Sequence, residues 1–91
     1  MDRVAELFGI LSTRSRVGLI LQLHERPQSV GELAEALSIS QPLTSQHLRV
    51  LRSANLVRGV RQGRDVVYAV TDDHVSHIVM DAIKHIKEEA Q

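Results

Sequence analysis

The chain predicts a mainly helical fold with one small β-hairpin, a winged helix-turn-helix, and three observations carry that expectation. Two short helical patterns are separated only by Ser38-Ile39-Ser40, the spacing of a helix-turn-helix. Two β-prone runs, Val57 to Gln62 and Val66 to Val70, flank Gly63-Arg64 and read as a hairpin rich in arginine. Residues 36 to 64 hold five arginines and no Asp or Glu, although the whole chain balances 11 basic against 11 acidic side chains.

The elements follow in order. Val4, Leu7, Phe8 and Leu11 fall at i, i+3, i+4 and i+7 and predict a first amphipathic helix. Ser12 is a candidate cap for a second helix carrying Val17, Ile20, Leu21 and His24, which ends before Pro27. Ser29 caps a short third helix with Val30, Leu33, Ala34 and Leu37 inward. Ser40 caps a fourth, with Pro42 in its first turn, where a missing N–H costs nothing. A last helix runs from about residue 73 to the end. No repeat or linker interrupts residues 1–91, which read as one domain.

Composition narrows the function classes. Ninety-one residues allow a small core, and with Phe8 and Tyr68 the only aromatics that core must be aliphatic. Pairing with a second copy would supply burial that the monomer lacks. There is no cysteine, hence no disulfide and no thiolate metal site. No run approaches a membrane span and Met1-Asp2-Arg3 does not open a signal peptide, so a soluble cytoplasmic protein without membrane contact is expected.

The zero net charge conceals an asymmetry. Arg49, Arg52, Arg58, Arg61 and Arg64 give residues 36 to 64 a balance of +5, and the remainder stands at −5. A charge run is usually a solvated face, but an acid-free segment of this length suits a polyanion. On the wheel of the fourth helix, Leu43, His47, Val50, Leu51 and Ala54 cluster on one side, with His47 read as structural. Gln41, Ser45, Arg49 and Arg52 lie opposite, flanked by Gln46 and Ser53. Short polar side chains near a helix start can reach base edges, and arginines further along grip phosphates. Double-stranded DNA is therefore the expected partner. Gln41, Thr44, Ser45 and Gln46 are candidates for reading bases, and Arg49, Arg52, Arg61 and Arg64 for holding phosphates.

The last helix carries ligand types. Asp72, His74, His85 and Glu88 offer two imidazoles and two carboxylates, a set that suits tetrahedral Zn(II). His74 and His85 lie eleven residues apart, about 16 Å along a helix. One ion cannot reach both on one chain. Pairing the helix antiparallel with its copy about a dyad near Val79 and Met80 brings Asp72 and His74 of one chain onto His85 and Glu88 of the other, twice per dimer. The plainer alternative keeps Asp72 or Asp73 as an N-cap and Lys84, Lys87, Glu88 and Glu89 as a solvated face. His74, Asp81, His85 and Glu88 nevertheless share one stripe about 60° wide, bordering the apolar stripe Val75, Ile78, Val79, Ala82, Ile83 and Ile86.

Four stretches resemble the ArsR/SmtB family of metal-responsive bacterial repressors. They are Leu11-Ser12-Thr13-Arg14-Ser15-Arg16-Val17, Val30-Gly31-Glu32-Leu33-Ala34, Ser45-Gln46-His47-Leu48-Arg49-Val50-Leu51-Arg52 and Gly63-Arg64-Asp65-Val66-Val67-Tyr68. Asp72, His74, His85 and Glu88 fit the family's D-x-H followed by H-x-x-E or H-x-x-H pattern. The resemblance implies a homodimeric winged-helix repressor, paired through its first and last helices and released from operator DNA by two metal ions. Where many relatives carry a Cys-x-Cys pair this chain has Ser29 and Gly31, which rules out thiolate sensing of soft ions. Nickel sensors of the family add histidines towards six ligands, and here only His77 is an extra candidate. Zinc is the expected effector, with cobalt(II) as a substitute. A backbone carbonyl near Asn55 is the expected acceptor for the second ring N–H of His85, which would couple metal to the recognition helix. A repressor answering a non-metal signal is the alternative. A metal hydrolase fits poorly, since four protein ligands leave no position for water.

Overall fold

A computed structural model describes residues 1–90. Five helices and three strands alternate as α1 (Asp2–Ile10), α2 (Arg14–Glu25), β1 (Gln28–Ser29), α3 (Val30–Leu37), α4 (Gln41–Ser53), β2 (Val57–Gln62), β3 (Asp65–Val70) and α5 (His74–Glu89). The expected winged helix-turn-helix is present, and the caps explain where its helices begin. Ser29 accepts from the Glu32 N–H and the Glu32 carboxylate accepts from the Ser29 N–H, a reciprocal capping box that starts α3. Ser40 accepts from the Leu43 N–H and starts α4, with Pro42 in its first turn. Thr13, rather than Ser12, caps α2, accepting from the Arg16 N–H at 3.3 Å. Ser12 instead donates back to the Gly9 carbonyl.

Between α3 and α4 the chain turns in three residues. Ser38 adopts φ 56, and the N–H groups of Ser38 and Ile39 close on carbonyls of the last turn of α3. The wing is a two-residue hairpin in register from Val57↔Val70 to Gln62↔Asp65. Gly63 supplies the positive φ (62) that the turn requires. The sequence reading missed β1, two residues that pair antiparallel with β3 to give a sheet of order β1-β3-β2. Gln28 anchors this strand. Its buried amide donates to the Gln22 carbonyl at 2.8 Å and to the Arg26 carbonyl, satisfying acceptors left open at the end of α2.

The core is aliphatic, as composition required. Leu19, Ile20 and Leu23 of α2 meet Leu33 of α3, Leu48 and Leu51 of α4, Val57 of β2 and Val79 of α5. Each fully buried leucine contributes about 1.5–3 kcal/mol of transfer free energy.

Three helical faces differ from the wheel reading. In α4 the buried line is Thr44, Leu48 and Leu51, while Leu43 is exposed and His47 and Val50 are half-buried. The helix has two apolar faces, and the second one turns towards α1 and α2. In α2, Leu19 and Leu23 take core positions, leaving Val17 and Leu21 at its edge. In α1, only Leu7, Ile10 and Leu11 reach the core, whereas Val4 and Phe8 stay outside.

Candidate nucleic-acid interface and metal half-sites

The acid-free segment forms one continuous stretch of structure, α4 followed by the wing. Arg49, Arg52, Arg58, Arg61 and Arg64 are all exposed. Gln41 and Gln46 are exposed and Ser45 half-exposed, and the first turn of α4 contains no acidic residue. The helix start therefore keeps the positive end of its dipole uncompensated, which favours a phosphate nearby. Arg61 and Arg64 stand on the strand end and tip of the hairpin, and Arg58 reaches the Val70 carbonyl at 3.4 Å.

Thr44 is a correction. Its side chain is 0% exposed, and its hydroxyl donates to the Ser40 carbonyl at 2.8 Å. It belongs to the buried line of α4 and cannot touch a base. The threonine methyl lets a nominally polar residue sit among leucines once its hydroxyl is bonded to the preceding turn.

The metal candidates occupy opposite ends of α5. At its start, Asp72 accepts from the His74 N–H at 2.9 Å and lies 3.4 Å from the His74 ring Nδ1. Asp73, at the cap position, makes no side-chain cap bond, so Asp72 performs that service. At the far end, the His85 Nε2 lies 3.3 Å from the Glu89 carboxylate, one turn on, with Glu88 beside it on the surface. His74 and His85 are 87% and 77% exposed. Among the described residues no group of three or more ligand side chains converges within the single chain. Ile78, 40% exposed, lies between the two ends, and Ile86, 62% exposed, lies next to His85 within the far one, beside the inward line of Val75, Val79 and Ile83.

His77, expected as solvated or supporting, is exposed and stands edge-on to His24 of α2, with ring centroids 5.8 Å apart. Asn55 terminates α4 in the left-handed region at φ 63, its N–H closing on the Arg52 carbonyl. Residues of α1 (Arg3, Glu6, Leu7 and Ile10) line a cleft of about 580 Å³ against that end of α4, whereas α5 packs on α2. Within one chain His85 is not bonded to the Asn55 carbonyl.

Sequence reasoning also missed a contact between α2 and the recognition helix. The Arg16 guanidinium donates through Nε to the His47 Nδ1 at 3.3 Å and through a terminal nitrogen to the Ile10 carbonyl at 3.1 Å. Burial, and then the neighbouring Arg16 charge, hold the His47 imidazole below its usual pKa. Its position on the inner side of α4 was the only available signal.

The family model described as bacterial regulatory protein, arsR family, matches residues 13–58, from the cap of α2 into the wing. The HTH-type transcriptional repressor SmtB of Mycobacterium tuberculosis is 44% identical over 90 residues, covering 99% of this chain and 67% of that protein. This chain belongs to the ArsR family. Other family members agree: the regulator NmtR of M. tuberculosis is 42% identical over 83 residues, covering 91% of this chain and 69% of NmtR. Among solved structures, M. tuberculosis Rv0081 superposes with a TM-score of 0.85 at 30% identity, over 94% of this chain and 87% of that one. The solution structure of apo-NmtR gives 0.80 at 40% identity, over 96% and 73%. As an ArsR-family member the chain is a DNA-binding transcriptional regulator, not an enzyme. No described helix is long and apolar enough to cross a membrane.

Proposed function

We propose that the chain works as a homodimeric repressor that holds operator DNA with α4 and the wing and lets it go on binding Zn(II), two ions per dimer, with Co(II) able to substitute. The observation that carries this reading is the division of α5 into two half-sites. Asp72 and His74 at one end and His85 and Glu88 at the other each present a carboxylate and an exposed imidazole, with the uncovered Ile78 between the two ends and Ile86 beside the second. Antiparallel pairing of two such helices buries the isoleucines and closes two N2O2 sites at once. The donor set has no thiolate and fits a borderline cation. Val4 and Phe8 on α1 are likewise left outside the core and are available to a partner.

Bridging has a decisive test. An Asp72→Ala/His74→Ala protein and a His85→Ala/Glu88→Ala protein each lack tight zinc binding as homodimers. Mixed, they form heterodimers in which both defects fall in one site and the other site is intact. Recovery of one tight site, read with a chromogenic zinc competitor, is the expected result; a site within one chain would stay dead in every mixture. Zinc affinity falls below about pH 6, because imidazole must be neutral to bind metal.

Coupling to DNA then runs from the zinc-bound imidazole of His85, whose second ring nitrogen donates to a carbonyl near Asn55 once the dimer closes. A methylhistidine at position 85, blocked on that nitrogen, keeps zinc affinity and loses release if this route operates. The competing reading, a repressor answering another signal, draws on the carboxylate that each histidine already meets in its own chain. Fluorescence anisotropy on DNA upstream of the protein's own gene, titrated with Zn(II), Co(II) and Ni(II), separates the two.

A further inference from the structure

Arg16 is half-buried, and among the described residues its donors find no carboxylate within 4.0 Å. They go instead to two neutral acceptors on two different helices: the Ile10 carbonyl at the end of α1 and the His47 ring in the middle of α4. A guanidinium is a rigid fork, so a pair of bonds from it fixes direction as well as distance. Here the fork joins the helix that leaves Val4 and Phe8 outside to the helix that carries Gln41, Ser45 and Gln46. We propose that Arg16 is a positioning residue that sets the recognition helix against α1, and that it does so only while His47 is neutral, so that DNA recognition fails on mild acidification without any metal. The inference rests on the reading that α4 enters DNA.

The chemistry of the contact is restrictive. His47 can accept at Nδ1 only in the tautomer protonated at Nε2. A second proton removes the acceptor and sets two cations face to face. The charged groups around His47 are few. Arg16 comes from α2, and Arg49 lies two residues along α4. Arg3 and Glu6 of α1 line the neighbouring cleft. Glu32 and Glu35 of α3, Arg58 and Arg61 of β2, and Arg14, His24 and Glu25 of α2 belong to the other elements packed on α4. Of these only Arg16 acts on the His47 charge, alongside burial, and both lower the pKa. The sign follows. The joined state is fully present above the ordinary value of 6.5 and is lost as pH falls through the lowered one.

That sign is unusual for a DNA-binding protein. Protonating any histidine adds positive charge, so electrostatics alone tightens DNA binding on acidification. A fall in specific affinity requires a histidine that must stay neutral.

The test uses the whole protein treated with chelator, a duplex selected from a random pool at pH 7.5, and a scrambled duplex, followed by anisotropy from pH 7.5 to 5.5. Specific affinity should drop by roughly twofold to fivefold, less than the tenfold that a full pH unit of titration would give because the His47 pKa is lowered, while scrambled DNA binds equally or more tightly. His47→Gln retains an acceptor for Arg16 but does not titrate; it should bind normally at pH 7.5 and hold its preference at 5.5. Arg16→Lys, which can span only one of the two acceptors, should lose preference at every pH while retaining helical circular dichroism. An independent readout needs no DNA: long-range ¹⁵N spectra should show unprotonated Nδ1 at His47 and a titration below the ordinary imidazole value. Identical pH profiles for wild type and His47→Gln overturn the proposal and leave the DNA-reading function standing. Absence of any preferred sequence at pH 7.5 overturns that function, and this positioning role with it.

Discussion

Ser38 holds the three-residue turn of the helix-turn-helix in the left-handed region at φ 56, where an L side chain is disfavoured by roughly 1–2 kcal/mol. Glycine fits there without that strain but gains freedom in the unfolded chain. Ser38→Gly should therefore raise stability by about 0.5–1 kcal/mol, measurable by urea denaturation, and leave DNA affinity intact. Thr44 offers a complementary test. Thr44→Val keeps the buried shape and loses one hydrogen bond, so base preference should not change while stability falls by about 1 kcal/mol. Altered preference in a selection experiment would return Thr44 to the reading surface. Gln41→Ala and Ser45→Ala, by contrast, should each relax preference at their own base pair by about 1–3 kcal/mol. The capping box responds to pH. Bonds from the Ser29 N–H and from Arg26 hold the Glu32 carboxyl below its ordinary 4.5, so the start of α3 loosens only as pH falls below that value. At this scale the sequence was readable wherever one residue type has one local task. Ser29 and Ser40 were legible as caps on that ground, and Gly63 as a turn. Ser12 and Thr13 were not separable, since both hydroxyls suit the position and only the path of the chain decides between them.

Among the elements, helix lengths and hairpin register were legible and helix rotation was not. Periodicity gave α4 its limits, but Leu43, Val50 and Ala54 outweighed Leu48 on the wheel, because the side facing α1 and α2 is as apolar as the core line. A bonded threonine then completed the true core line, and no hydropathy pattern marks that. β1 was illegible for a different reason: two residues carry no alternation, and Gln28 is held by carbonyls of α2 that only the fold brings near. The same failure of rotation is informative on α1 and α5. Phe8 and Ile86 belong to the expected apolar stripes yet are 53% and 62% exposed. If a partner chain covers them, Phe8→Asp or Ile86→Asp should shift the dimer to monomer in sedimentation velocity. Each variant should keep its helical circular dichroism, since neither side chain enters the core. A variant that remains dimeric would place the interface elsewhere.

For the whole molecule, ligand spacing alone suggested both the pieces of the candidate site and the dyad that would join them, and a single chain displays only the pieces. Eleven residues on one helix exclude a site within one chain, and the structure accordingly leaves the Asp72–His74 and His85–Glu88 ends apart. In the proposed dimer a symmetry operation would close them, and a single sequence signals it only through ligand spacing and the apolar residues left uncovered. The Arg-bearing hairpin was legible because charge exclusion over 29 residues is visible without knowing the fold. Arg64 at its tip should act as a sequence-independent grip. Arg64→Ala should weaken all duplexes alike and reduce the slope of log affinity against log salt by about one.

That same exclusion of acids has a kinetic consequence. A chain with no net charge but +5 in one structural segment and −5 in the rest behaves as a large electric dipole. Near the duplex the torque on it acts before contact, turning α4 and the wing towards the phosphates and repelling approaches made with the acidic side forward. Collisions are thus sorted by orientation, and the association rate constant should climb steeply as salt is lowered, although a net-charge argument predicts no dependence at all. Stopped-flow mixing at several ionic strengths would measure it.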